Sequence, residues 1–325
     1  MSEGQNTSAS GGSEQPTPWE RATLDKVLFA SLKEQRSTRR WGIFFKFLFF
    51  GYLLTLLLLY LPEDMTGGSM SLHKHTALVE IGGVIANDSN ASADNVITGL
   101  RAAFKDKNTQ GVILRINSPG GSPVQAGYIN DEIVRLREKY PDVPLYAVIT
   151  DICASGGYYV AVAADKIYAN KASIVGSIGV LMDGFGFTDT MKKLGVERRL
   201  LTAGEHKGFL DPFSPAKQGD VVHVQGMLKE IHQQFIATVR KGRGDRLKES
   251  DDLYSGLMWT GEQSLQMGLV DALGSSSYVA REVVGAENII DFTPRANYLD
   301  RFAERIGLAL GGLLLSTTTE WGGLK

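Results

Sequence analysis

Apolar residues are spread along this 325-residue chain in four different patterns. Residues 1–18 have no apolar periodicity and are rich in Ser, Gly, Thr, Gln and Asn, a composition that cannot bury enough surface to order itself. Between Trp19 and Arg36, Leu24, Val27, Leu28 and Leu32 recur at helical spacing among charges, which predicts a short amphipathic helix suited to a membrane surface. Trp41–Leu61 is a nearly unbroken apolar run of 21 residues. At about 1.5 Å per residue, such a run matches the hydrocarbon thickness of a bilayer. Its one charge, Lys46, lies near an end where an ammonium can reach the interface, and Trp41 and Tyr60 stand where aromatic belts form. Arg36, Arg39 and Arg40 precede the run, whereas Glu63 and Asp64 follow it, so the positive-inside rule predicts a cytoplasmic N-terminus. A cleaved signal peptide fits less well, because the leader is 40 residues long and no A-x-A site follows.

From Ala77 the pattern becomes an alternation of strand-like and helix-like segments. Residues 77–86, 111–116 and 145–152 read as buried strands, with helices expected over 95–104 and 123–140. A short apolar helix is expected at 156–164, then brief strands in KIYAN and IVGSIGV, a helix at 188–194 and a strand at 197–203. Val221, Val224, Leu228, Ile231, Phe235 and Val239 mark the buried face of a long helix over 215–240. Helices at 261–267 and 276–284 complete the series. Near-continuous apolar strands alternating with helices predict an α/β fold whose sheet is covered on both faces. The organisation expected is a cytoplasmic leader (1–40), a transmembrane helix (41–61), a tether (62–76) that includes His73 and His75, a folded domain (77–290) and a tail (291–325). The apolar stretch 306–315 in that tail has too few residues to span a bilayer.

Composition narrows the function classes. A net charge of −2 supplies no basic field for nucleic acid. The single cysteine, Cys153, excludes an internal disulfide and any multi-cysteine metal site, and reads as a small buried hydrophobe. No spaced Cys/His cluster or nucleotide loop is present, so no metal or organic cofactor is expected.

Two glycine-rich turns directly follow buried strands: INSPGGS (116–122) and ICASGGYY (152–159). Glycine lets the backbone enter φ > 0 and approach a ligand, and amides in such a turn can converge on a developing oxyanion. Ser155 opens a predicted helix, where an acyl-transfer nucleophile is useful, although a serine N-cap before an ordinary turn has the same spelling. Neither GxSxG nor SxxK surrounds it. Two bases are available in TAGEHKGFLDPF (202–213): His206, and Lys207, whose apolar neighbours Phe209 and Leu210 could desolvate it and so favour a neutral amine. His223 and His232 fall among polar residues of the long helix and read as solvated or structural.

INSPGG, ASGGYY, VGSIGV, GEHKGFLDPF and WTGEQSLQMGLVDALG (259–274), in this order, resemble the signal peptide peptidase A family of serine proteases across about residues 77–285. The resemblance implies a Clp protease/crotonase-like fold of stacked β-β-α units. It implies Ser155 as nucleophile, Lys207 as general base and Ser177 as the serine that orients the lysine. The backbone amides of Gly121 and Gly156 would form the oxyanion hole. It further implies a single-copy short form that assembles each site across subunits of a homo-oligomer. Such an enzyme would sit in a bacterial inner membrane with its peptidase domain periplasmic or extracytoplasmic, degrading remnant signal peptides and other short unfolded membrane-associated polypeptides. Three rivals carry different expectations: a Ser–His protease using His206, a crotonase-like acyl-CoA enzyme, and an inactive scaffold or chaperone-like membrane protein of the same fold.

Overall fold

The structure is a computed structural model and describes Trp19, Lys26 and residues 39–55 and 73–294. The chain divides into two compact units, Met1–Ser69 and Met70–Lys325. In the first, residues 39–55 are helical and exposed throughout. No helix among the described residues is long and apolar enough to cross a membrane. The expected span ends at residue 61, and residues 56–61 lie outside the described residues, as do most of the expected amphipathic helix and the stretch 306–315.

The second unit is built on strands β1 (His75–Gly82), β2 (Thr109–Ser118) and β3 (Leu145–Ala154), paired in parallel. Helices α1 (Ala93–Lys105) and α2 (Pro123–Lys139) connect them. Alternate side chains explain why these strands read as continuous apolar runs. Val79, Ile81, Leu114 and Ile116 join one core with α1 and α2, while Leu78, Ile113 and Val148 join a second cluster with Tyr168, Val279 and Ala280. Strand β3 divides its pairing: its first half pairs with β4 (Lys166–Ala169) and its last residues pair with β5 (Ile174–Gly176). Between β3 and β4 lies the short helix α3 (Gly156–Ala161).

After β5 come α4 (Thr188–Lys193) and the long α5 (Gln218–Arg243). Then follow β6 (Met258–Thr260), α6 (Gly261–Gln266), β7 (Ala272–Leu273) and β8 (Ile289–Asp291). The sheet order is β6-β5-β3-β2-β1-β8, with β7 joined through β4, and the β5–β6 pair is antiparallel while the others are parallel. The α/β class and the covered parallel sheet agree with the sequence-based expectation.

Four expectations need correction. His75 and Thr76 are not tether: both are fully buried in β1, where the His75 ring stacks on Phe292 and lies 3.3 Å from Thr109 Oγ1. The domain does not stop at 290, because β8 pairs with β1 and Thr293 Oγ1 accepts from the Glu80 amide. Residues 197–203 form no strand and are exposed, and among the described residues no strand pairs with them. The long helix begins and ends three residues later than its apolar stripe predicts, and Val221, Leu228 and Ile231 are only half-buried.

Candidate active site

The two glycine-rich turns meet at the C-terminal ends of β2 and β3, where open α/β sheets place their sites. Two local devices shape the first turn. Ser122 accepts from the Gln125 amide as N-cap of α2, with Pro123 in the first helical turn where its missing N–H costs nothing. Opposite, Ile85 donates to the Gly120 carbonyl and accepts from the Ser122 amide, both at 2.8 Å. These bonds leave Gly121 at φ +146°, with a Cβ position only 2.2 Å from the Ile85 carbonyl oxygen, so no side chain fits.

The second turn carries Ser155 at the corner between β3 and α3. Its φ of 51° and ψ of −122° are unusual for a residue with a Cβ. Its amide donates to the Gly176 carbonyl at 2.9 Å and its carbonyl accepts the first helical bond, from Tyr159. A strained serine at a strand-to-helix corner keeps its hydroxyl presented at the helix N-terminus, the arrangement used by nucleophile elbows even without their usual motif. The turns are in contact: a Cβ on Gly120 would lie 2.7 Å from Ser155 Cβ, and one on Gly156 would lie 3.3 Å from the Gly121 nitrogen. Among the described residues neither the Gly121 nor the Gly156 amide has an acceptor, so two free N–H groups lie in the turns that meet at Ser155.

Ser177 follows β5, also at positive φ (52°), and its amide donates to the Leu257 carbonyl at 2.7 Å. Ser155, Ser177, Gly121 and Gly156 all line one cavity of about 550 Å³. Its apolar wall is made by Pro123, Ala126, Tyr159, Leu181, Ile231 and Phe235. Tyr159 is fixed from three sides, since its ring packs on Phe235 at 5.1 Å, its hydroxyl accepts from Thr238, and its carbonyl accepts from Asn130. Sequence reasoning missed Tyr159 and the α5 contribution to this wall. The half-apolar stripe of α5 was the available signal, because a residue facing a cavity has the same periodicity as one facing a core.

Lys207 is exposed and does not line this cavity. Its loop runs from 194 to 217 and is folded on itself. Phe187 stacks on Phe213, and Asp211 accepts from Ser214 and Arg198, which together hold its carboxyl below the ordinary range, the serine hydrogen bond being the larger influence. His206 Nδ1 lies 2.8 Å from Oδ1 of the buried Asp220 in the first turn of α5. Cys153 is buried beneath the site, and burial pushes its thiol well up, in keeping with a structural hydrophobe rather than a nucleophile.

The family model named Peptidase family S49 matches residues 137–289, which span Ser155, Ser177 and the Lys207 loop. A Synechocystis sp. protein that carries a protease name is 31% identical over 63% of this chain and 72% of its own length. The chain belongs to peptidase family S49. Two other relatives are longer than this S49 chain. "Serine protease SPPA, chloroplastic" of Arabidopsis thaliana is 28% identical over 66% of this chain and 32% of its own. The "Na(+)/H(+) antiporter NhaA" of Brucella abortus is 40% identical over 66% of this chain but spans far more, the match covering 29% of it.

Proposed function

We propose that this S49 chain is a membrane-anchored serine endopeptidase in which Ser155 is the nucleophile and Lys207, supplied by a neighbouring copy, is the general base. The observation that carries the reading is Ser155 at a strained corner where the turns of Gly121 and Gly156 meet, all three lining one cavity and neither glycine amide having an acceptor among the described residues. Ser155 attacks a peptide carbonyl while the amine of Lys207 takes its proton. The carbonyl's electron pair moves onto oxygen, where the two amides hold the oxyanion. Collapse breaks the C–N bond, with the lysine's proton going to the leaving amine, and water then hydrolyses the acyl-enzyme by the same route. Ser177 orients the amine.

Two features support a site shared between copies. Lys207 does not line the cavity of its own chain, and residues 181–213 expose Leu181, Phe185, Leu194, Leu201 and Phe209, side chains that a second copy could cover. A covering copy would also strip water from the amine, which a lysine base requires. The apolar wall of the cavity suits remnant signal peptides and other unfolded membrane-associated polypeptides, and the run Trp41–Leu61 suits an inner-membrane anchor with the N-terminus cytoplasmic.

Hydrolysis of an unstructured apolar peptide tests the assignment. Ser155→Ala and Lys207→Ala are each expected to abolish turnover in folded protein, with the double variant little worse than either, because the pair acts as a unit. Normal turnover by folded Lys207→Ala would place the base elsewhere. One observation favours a second reading. The His206–Asp220 bond uses Nδ1 and, among the described residues, leaves Nε2 of His206 unengaged, the way a triad orients its histidine. Loss of activity in His206→Ala with activity kept in Lys207→Ala would select a Ser–His enzyme. Failure of Ser155 to react with a fluorophosphonate in the folded oligomer would select the inactive scaffold.

A further inference from the structure

The two active-site hydroxyls share a structural problem. Ser155 and Ser177 both occupy positive φ, a conformation that side-chain-bearing residues hold only when the surroundings over-determine it. One short element meets that need at both positions. Ser155 is tied to β5 through its bond to the Gly176 carbonyl, and Ser177 is tied to the approach of β6 through its bond to the Leu257 carbonyl. Gly176 lies between them at φ +118°, and a Cβ there would come within 2.8 Å of the Trp259 ring. Trp259 stands opposite Val175 in the antiparallel β5–β6 pair, half-buried against the core.

Strand β6 is itself prevented from sliding. Thr260 and Gln263 form a capping box that sets the start of α6, and a Cβ on Gly261 would lie 2.0 Å from the Asn170 carbonyl oxygen. On its other side the segment reaches the cavity through Ser255 and Gly256, whereas Trp259 does not line it.

We propose that Trp259 is a positioning residue for both hydroxyls. Its ring lies over Gly176 and holds the Gly176–Ser177 corner, so that the Gly176 carbonyl meets the Ser155 amide while Ser177 faces the cavity. The inference rests on the reading of Ser155 as nucleophile and deepens it. Because Trp259 does not line the cavity, its loss is expected to act on turnover and to leave substrate affinity in place.

The test is steady-state hydrolysis of a fluorogenic apolar peptide by the full-length oligomer, alongside the rate of fluorophosphonate labelling of Ser155. Trp259→Phe keeps a flat ring over Gly176 and is expected to stay within about threefold of the unaltered protein, the conservative rescue. Trp259→Leu removes the flat ring, and a misplaced constellation of this kind costs about tenfold or more in kcat, with KM within about twofold and labelling slowed in parallel. Met258→Ala, at the neighbouring exposed position, is expected to match the unaltered protein. Should Trp259→Leu not fold, Trp259→Met takes its place and is read in the same way. A kcat within about twofold of normal, or a rise in KM alone, overturns the positioning role. Ser155→Ala is run beside them. If that variant is fully active, the nucleophile reading fails whatever Trp259 does; if it is inactive while Trp259→Leu is normal, only the role of Trp259 falls.

Discussion

A single added methyl group separates the two jobs done by glycine around Ser155. In Gly156→Ala the new Cβ would lie 3.3 Å from the Gly121 nitrogen, a distance that neighbours can absorb by shifting a few tenths of an ångström. The fold is expected to survive while the methyl crowds the space between the two amides. A drop in kcat of roughly 10²-fold, the size of losing one oxyanion donor, is the outcome to look for against an unchanged melting curve. Gly121→Ala differs, because its Cβ would meet the Ile85 carbonyl oxygen at 2.2 Å and its φ is +146°. Thermal melting should show destabilisation of about 1–3 kcal/mol, the range for overpacking a filled site. The glycines were legible in SPGG and ASGG, but which one guards chemistry and which one guards packing depends on what stands opposite each. Ile85 lies 36 positions from Gly121 along the chain, so no local pattern announces it.

Two ion-pair groups join the elements that carry the site. Glu132 on α2 is buried and accepts from Arg135 of its own helix and Arg101 of α1, and these bonds, Arg135's first, hold its carboxyl at about 2. A carboxyl depressed on folding adds stability above its unfolded value, about 4.3, and that contribution fades as pH falls from there toward 2. Urea midpoints measured from pH 6 to 2.5 should therefore fall more steeply for the unaltered protein than for Glu132→Gln. The second group links the end of α5 to the segment before β7. Burial pushes Asp271 upward, but bonds from Arg243 and the Ile167 amide, together with the Arg246 charge, outweigh it and hold the carboxyl low. Arg243 is almost wholly buried, so Asp271→Ala strands its charge. A loss of about 3–5 kcal/mol in urea unfolding is expected, larger than for removal of an exposed pair such as Arg240–Glu249. The helices around these groups were legible because a helix closes its hydrogen bonds within itself and shows its buried face as a period. Residues 197–203 were misread as a strand for the opposite reason: a strand exists only where another chain segment accepts its hydrogen bonds, and the composition of ERRLLTA, with Thr202 its one β-branched residue, gives a strand little local support.

For the whole molecule, the position of Lys207 outside its own chain's cavity leads to a complementation experiment. If each site takes Ser155 from one copy and Lys207 from another, mixing inactive Ser155→Ala with inactive Lys207→Ala chains in refolded oligomers should restore part of the activity. Return of roughly a quarter of the unaltered rate is expected for random pairing at equal amounts, since a productive site then draws both intact residues by chance. No recovery, in mixtures shown to co-assemble, would mean that the serine and lysine must come from one chain or do not form a dyad.

The order of motifs, the α/β class and the buried strands could be read directly, because continuous apolar runs and helical periods express how each segment meets the core whichever segment lies beside it. The sequence alone also determined where the chain could bend, through SPGG, ASGG and VGSIG. Tertiary structure decided what those bends face. It brought Gly120 against Ser155, placed Tyr159 of α3 and Phe235 of α5 around the same cavity, drew His75 into β1, and set Trp259 over Gly176. Each of these contacts joins residues far apart in sequence, and a strand's hydrogen-bond partner or a glycine's nearest obstacle exists only once the chain has closed on itself.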